Sequence, residues 1–125
     1  MNREKLCESR MEHIAEEFKS LKPAFLALGD ETRQQIITTL LLSDHSGIRV
    51  GEITSKTHLS RPAVSHHLKI LKDAGIINMR RSGTKNYYYV DADESQWKQM
   101  LELTQFIYSV AKDISANGRC QEVED

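Results

Sequence analysis

The sequence contains little of what membrane, fibrous and disulfide-stabilised proteins are built from. Its 125 residues include two cysteines and two prolines, and aromatic residues make up 6%. The longest strongly apolar run, at residues 36–42, is interrupted by threonines and is far shorter than the roughly 20 residues of a membrane-spanning helix. The first residues are mixed and charged, without the apolar region of a signal peptide. We therefore expect a soluble cytoplasmic protein with reduced thiols and no membrane partner.

The charges are balanced overall but unevenly distributed. There are 17 basic and 18 acidic residues, and a net charge of −1 by itself argues against a nucleic-acid binder. Residues 56–85, however, contain seven basic residues and one acidic residue, whereas the remainder contains 10 basic and 17 acidic residues. This distribution predicts one basic face on an otherwise acidic protein, which is compatible with a compact DNA reader.

Hydrophobic spacing predicts a mainly α-helical domain with a small β-hairpin. Residues 3–21 carry apolar side chains at alternating steps of three and four, as on one face of a helix. Pro23 permits a second helical start, and Asp30 is a typical N-cap for a third helix. The remaining predicted elements are a short strand at 48–50, helices at 51–57 and 60–73, strands at 76–81 and 87–90, and a last helix at 94–115. We interpret residues 1–115 as a single domain and residues 116–125 as a flexible tail.

The order of these elements is that of a winged helix-turn-helix, with the motif at residues 50–73 and the wing at 76–90. In the helix capped by Ser60, the apolar residues share one face and the opposite face is polar and basic, which suits insertion into a major groove. The wing loop, residues 82–86, contains a glycine and is flanked by basic residues. The candidate DNA-binding residues are Lys56, Ser60, Arg61, Ser65, His66, His67, Lys69, Arg80, Arg81, Thr84 and Lys85.

The candidate residues suit different parts of a DNA duplex. Arg61 can offer two donors to guanine, and Ser65 and His66 can donate to or accept from base edges. Lys69 lies further along the helix, where a phosphate contact is more natural than base reading. Basic side chains at the wing tip suit phosphates or the adjacent minor groove. Double-stranded DNA is therefore the predicted partner.

The first and last predicted helices carry more apolar surface than one helix face needs. One side can pack within the domain and another on a second copy of the chain, although a single monomeric core is the alternative. The candidate dimer-interface residues are Cys7, Met11, Ile14, Phe18, Trp97, Leu101 and Tyr108.

Several segments, in order, resemble the arsenical-resistance repressor (ArsR/SmtB) family of winged-helix transcription factors. They are Ala27–Arg33 (ALGDETR), Val50–Ile53 (VGEI), Leu59–Ile77, Arg80–Gly83 and the Tyr87-Tyr88 pair. The resemblance covers roughly residues 24–108. It implies a homodimer, formed by the first and last helices, that binds a two-fold-related operator and represses transcription until a signal releases it. His67 matches the family's histidine, for which we expect a phosphate contact or local packing.

The sequence departs from the family at its metal-sensing positions. Where one group has a Cys-x-Cys pair, this chain has Arg49 and Gly51, and no histidine follows His67 to form the site that another group carries on the last helix. We expect no cofactor and no metal. The alternatives are a thiol–disulfide switch or soft-metal site using Cys7 and Cys120, and a winged-helix module that binds an acidic protein. No catalytic motif indicates an enzyme.

Overall fold

A computed structural model describes the backbone of residues 3–93 and 95–117, and the side chains of residues 8–93 and 95–116. This part of the chain is mainly helical and contains one antiparallel hairpin, which confirms the predicted fold class. The elements are α1 (Arg3–Ser20), α2 (Lys22–Leu28), α3 (Glu31–Leu41), α4 (Val50–Thr57), α5 (Arg61–Asp73), β1 (Asn78–Ser82), β2 (Lys85–Tyr89) and α6 (Trp97–Asn117). Within the described ranges, no helix is long and apolar enough to cross a membrane.

The chain divides into two compact units. Residues 23–97 form the winged unit, which contains the hairpin and nearly all of α2 through α5. The described parts of residues 1–22 and 98–125 form the two-helix unit, which contains α1 and nearly all of α6. The sequence-based assignment of residues 1–115 to one domain stays a prediction.

The core of the winged unit lies between α3, α4 and α5, which pack against one another. On α5, Val64, Leu68 and Leu71 are spaced to share one face, and each is at most 1% exposed. Ile36 on α3 and Ile53 on α4 are fully buried with them. Burying such a side chain stabilises the fold by roughly 1.5–3 kcal/mol, so this face fixes which side of α5 remains in solvent.

Two predicted N-caps are confirmed. The Asp30 carboxylate accepts a hydrogen bond from the Arg33 backbone N–H at 2.9 Å, and the Ser60 hydroxyl accepts one from the Ala63 N–H at 3.3 Å. Each satisfies a backbone donor that the first helical turn leaves unpaired. Between α4 and α5, His58 takes a left-handed conformation with φ of 59°, which ends α4 and reverses the chain. These local features set the start and direction of α5.

The predicted strands need correction. Of residues 48–50, only Ile48 forms a bridge, with Tyr88, and Val50 is already the first residue of α4. The hairpin strands are Asn78–Ser82 and Lys85–Tyr89, so the loop has two residues rather than five. Its first residue, Gly83, has φ of 63°, the conformation that a type II′ turn requires at that place. The apolar residues before β1 are buried in the core instead of pairing in the hairpin.

The last helix begins at Trp97, three residues after the predicted start. The Asp91 carboxylate accepts a hydrogen bond from the Asp93 backbone N–H at 2.9 Å, which forms a tight turn instead of a helical one. The Gln96 backbone N–H then donates to the Gly75 carbonyl at 2.9 Å. Asp91 and Asp93 therefore belong to the connection before α6.

In the two-helix unit, Arg10 of α1 joins α6 through an ion pair with Asp113 at 3.2 Å. The Arg10 guanidinium also lies 5.5 Å from the centre of the Phe106 ring, and the His13 ring centre lies 5.2 Å from it. Several large apolar side chains of this unit remain exposed in the single chain. They are Met11, Phe18, Leu101, Tyr108 and Ile114.

Candidate nucleic-acid interface

The outer face of α5 presents polar and basic side chains to solvent. Arg61, Ser65, His66 and Lys69 are exposed, whereas the opposite face is fixed in the core. Ser60 is also exposed, and its hydroxyl caps the helix. The structure therefore brings the α5 members of the predicted site together on one accessible surface, with the shape that a major groove accommodates.

Arg61 lies toward the start of α4. Its Nη1 atom is 3.9 Å from the place where a Cβ on Gly51 would lie. The side chain lines an open cavity of about 380 Å³. The cavity lining consists of Gly47, Ile48, Arg49, Gly51, Glu52, Arg61 and Tyr87. Sequence reasoning did not include Arg49 in the site. The available signal was a basic residue directly before a short helix of the motif.

His67 is half-buried, and the Arg33 guanidinium contacts its ring. The Arg33 Nη1 atom lies 3.3 Å from His67 Nδ1, while its Nε and Nη2 donate to the carbonyls of Ala27 at 2.7 Å and Leu26 at 3.3 Å. A guanidinium only donates, so His67 Nδ1 is the acceptor in this contact. This geometry supports the local-packing role expected for His67.

Two lysines of the predicted site have partners within the chain. Lys56 Nζ is 3.1 Å from Glu52 Oε2 and donates to the Ser43 hydroxyl at 3.0 Å. Lys69 Nζ donates to Asp73 Oδ2 at 2.8 Å. That hydrogen bond raises the pKa of Lys69 and lowers the pKa of Asp73, in each case as the largest cause. A DNA phosphate must therefore compete with a carboxylate for each lysine.

In the wing, Arg80 contacts neighbouring residues at the base of the hairpin, whereas the residues at the hairpin tip are exposed. Arg80 Nε donates to the Ser46 carbonyl at 2.8 Å, and its guanidinium lies 4.3 Å from the centre of the Tyr87 ring. Arg81 Nε donates to the Gly83 carbonyl at 3.1 Å. Thr84 and Lys85 are exposed at the turn. The wing thus presents a cationic edge whose arginines are partly preordered.

The predicted dimer residues differ in their surroundings. Met11, Phe18, Leu101 and Tyr108 are exposed in the single chain, and Ile14 is half-buried.

Trp97 is half-buried, and its indole N–H donates to the Ile76 carbonyl at 2.9 Å, so it contributes to the winged unit's own packing. The Cys7 side chain and all of Cys120 lie outside the described residues. Among the side chains that are described, no group of three or more His, Cys, Asp or Glu residues could hold a metal ion.

Comparisons with known proteins point to one family. The model for the bacterial regulatory protein, arsR family, matches residues 30–79, which include α3, α4, α5 and the start of the wing. An uncharacterized HTH-type transcriptional regulator of Methanocaldococcus jannaschii is 38% identical over 78 residues, covering 62% of this chain and 85% of that protein. The transcriptional repressor SdpR of Bacillus subtilis is 39% identical over 64 residues, covering 51% of this chain and 68% of SdpR.

A solved structure agrees with these sequence relatives. HlyU from Vibrio cholerae, named as a transcriptional activator, aligns with a TM-score of 0.51 and 31% identity, covering 69% of this chain and 88% of that one. The residues matched by the arsR family model include the whole helix-turn-helix, α4 and α5. The chain belongs to the ArsR family of winged-helix, DNA-binding transcriptional regulators.

Proposed function

We propose that the protein is a homodimeric transcriptional repressor that binds a two-fold-related operator and is released by a signal. The observation that carries the proposal is the outer face of α5. It is polar, exposed and begins at a capped N-terminus, while the inner face is fixed in a closed core. No catalytic role is proposed.

The expected docking places α5 in the major groove. Ser65 and His66 then approach base edges, because both are exposed on the first half of the helix. The wing tip, with Thr84 and Lys85, reaches phosphates or the neighbouring minor groove. Base contacts on α5 give sequence preference, and the cations around it supply most of the affinity.

The exposed apolar side chains of α1 and α6 support self-association. Leu101 is 57% exposed and Tyr108 is 68% exposed in the single chain. Apolar and aromatic side chains contribute to subunit interfaces, where a second chain covers them. A two-fold dimer would present two α5 helices about 34 Å apart, one turn of the duplex. An inverted-repeat operator with that spacing is the matching DNA.

The direction of regulation is tested in cells, because SdpR is named a repressor and HlyU an activator. A reporter driven by the bound promoter should be expressed more strongly when the regulator is deleted. Expression that falls on deletion would contradict repression while leaving DNA binding intact.

DNA binding is tested by selecting genomic fragments at low salt, footprinting the retained fragment and measuring its affinity at several salt concentrations. We expect a protected inverted repeat and a steep loss of affinity with salt. His66→Ala should change the preference among base variants of the operator. Lys98→Ala, which removes an exposed charge from α6, is the control. It should change neither the salt dependence of binding nor the preference among base variants. Failure to retain any DNA at low salt would refute the proposed function.

A further inference from the structure

Two arginines, Arg49 and Arg61, line the same cavity. Arg49 directly precedes α4, and Arg61 is the first residue of α5. Over residues 8–93 and 95–116, neither guanidinium forms an ion pair or a side-chain hydrogen bond, unlike Lys56, Lys69 and Arg80. The structure therefore leaves two neighbouring positive charges uncompensated beside one open space of about 380 Å³.

Among the described residues that line the cavity, the one carboxylate belongs to Glu52, which is already paired. Glu52 Oε2 lies 3.1 Å from Lys56 Nζ, which is one helical turn further along α4. The other lining residues, Gly47, Ile48, Gly51 and Tyr87, carry no charged carboxylate. Two guanidinium groups that face one space repel each other, and an anion placed between them converts that repulsion into two attractions. The charge distribution thus favours an anionic ligand.

Phosphate is the anion that this arrangement suits. A guanidinium presents paired N–H donors that match two phosphate oxygens, and two such groups can share one phosphate. A Cβ on Gly51 would lie 3.9 Å from Arg61 Nη1, so this guanidinium lies against the first turn of α4. The helix dipole at the start of α4 adds a smaller contribution of the same sign.

We propose that Arg49 and Arg61 together bind one backbone phosphate of the operator. This proposal rests on the proposed function, since Arg61 belongs to the helix that is expected to enter the major groove. It assigns Arg61 to a phosphate rather than to guanine and adds Arg49 to the DNA-binding residues. The two arginines position α5 against the duplex, and base reading belongs to residues further along the helix.

The first test compares the salt dependence of operator binding for Arg49→Ala, Arg61→Ala and the double variant. Loss of one phosphate contact should reduce the slope of log K against log salt by about 0.9. Because both side chains hold the same phosphate, the double variant should lose about the same slope in total, not twice as much. Affinity should fall by the same factor on the operator and on its base variants. Lys98→Ala should retain the wild-type slope.

The second test replaces single operator phosphates by neutral methylphosphonates. One position in each half-site should weaken the wild-type protein but leave the double variant unaffected, which identifies the shared phosphate. Gly51→Asp, which places a carboxylate beside Arg61, should behave like the double variant. Circular dichroism and thermal unfolding establish that each variant is folded, so a loss of DNA binding is attributed to the contact.

Specific results overturn the proposal. One is an Arg61→Ala variant that loses discrimination at a single base pair, which returns Arg61 to base reading. Another is an Arg49→Ala variant with the wild-type slope and wild-type affinity. A third is a combination of two results: inorganic phosphate perturbs the NMR signals of the two arginine side chains, and no methylphosphonate position distinguishes the wild-type protein from the double variant. The cavity would then be a site for a free anion and not for an operator phosphate. In all three cases the wild-type protein still binds its operator, so the proposed function stands.

Discussion

The winged unit and the two-helix unit differ in how far the apolar side chains of α5 and α6 are buried. In the winged unit, α5 buries Val64, Leu68 and Leu71 almost completely and exposes polar residues. In the two-helix unit, Leu101 and Tyr108 of α6 are more than half exposed. The winged unit buries this face of α5 and presents charge on the opposite one, although Leu26, Leu41 and Leu42 of the same unit are exposed. The two-helix unit leaves apolar surface available, which is why we assign it to self-association.

The two units should therefore respond to different kinds of substitution. A change in the core of the winged unit should lower the free energy of unfolding whatever the protein concentration. A change on the exposed apolar face of α6 should affect association and depend on concentration.

Leu68→Ala should lower the free energy of unfolding by roughly 2–5 kcal/mol, because the side chain is 1% exposed and its removal leaves a cavity. Urea unfolding followed by circular dichroism measures the change. Leu42→Ala is the matched control, since Leu42 is 87% exposed, and its effect should stay within about 0.5 kcal/mol. Equal effects from the two substitutions would contradict the burial that defines the face of α5.

Leu101→Glu should weaken dimerisation by about 2 kcal/mol, or roughly thirtyfold in the dissociation constant, because it places a charge in an apolar interface. Sedimentation equilibrium measures the constant directly. Gln99→Glu adds the same charge at an exposed position of α6 and should leave association almost unchanged. If both variants dimerise like the wild-type protein, the exposed face of α6 is not the interface.

Ser60 allows the stability of α5 to be separated from its DNA contact. Ser60→Ala removes the N-cap and should destabilise the fold by about 1 kcal/mol, measured by thermal unfolding. Ser60→Asp keeps a capping oxygen, so stability should be preserved, but its negative charge should repel the DNA backbone and weaken operator binding. An Asp variant that binds DNA like the wild-type protein would remove the start of α5 from the interface.

The sequence predicts the helices well because each depends on local features. Apolar spacing and the caps at Asp30 and Ser60 act within a few residues, and both are present in the structure. The start of the last helix is less predictable, since acidic residues suit both a first helical turn and the tight turn that forms at Asp91. The backbone hydrogen bond from Gln96 to Gly75 spans 21 residues, so local sequence cannot indicate it.

The candidate site also contains some features that local sequence indicates and others that depend on contacts between distant residues. The exposure of Arg61 and Ser65 follows from helix periodicity, and the sequence places both on the outer face. The role of Arg49 depends on the approach of α4 and α5 around a left-handed residue, which no spacing rule encodes. The contact between Arg33 and His67 joins positions 34 residues apart. Such pairings become visible only when the helices are packed.

The smallest expected effect concerns Lys69, whose ammonium group is bound to Asp73 before DNA arrives. Asp73→Asn should free Lys69 for a phosphate and tighten operator binding about two- to fivefold, the range typical of one exposed ion pair.

Asp93→Asn makes the same charge change at an exposed position before α6 and is the control for net charge. Fluorescence anisotropy with labelled operator measures both variants. An equal gain in operator affinity from Asp93→Asn would mean that the Lys69–Asp73 ion pair does not cause the gain seen with Asp73→Asn.

The acidity of Asp73 sets the pH range of that comparison. The hydrogen bond from Lys69 lowers the pKa of Asp73 below its ordinary value of 3.8, so the carboxylate is fully charged at neutral pH. The pair contributes stability above the unfolded-state pKa and loses it only as the pH falls through the lower folded-state value. The affinity difference between Asp73→Asn and the wild-type protein should therefore be constant from about pH 6 to pH 8. A difference that changes within that range would have to come from a group other than Asp73 and Lys69.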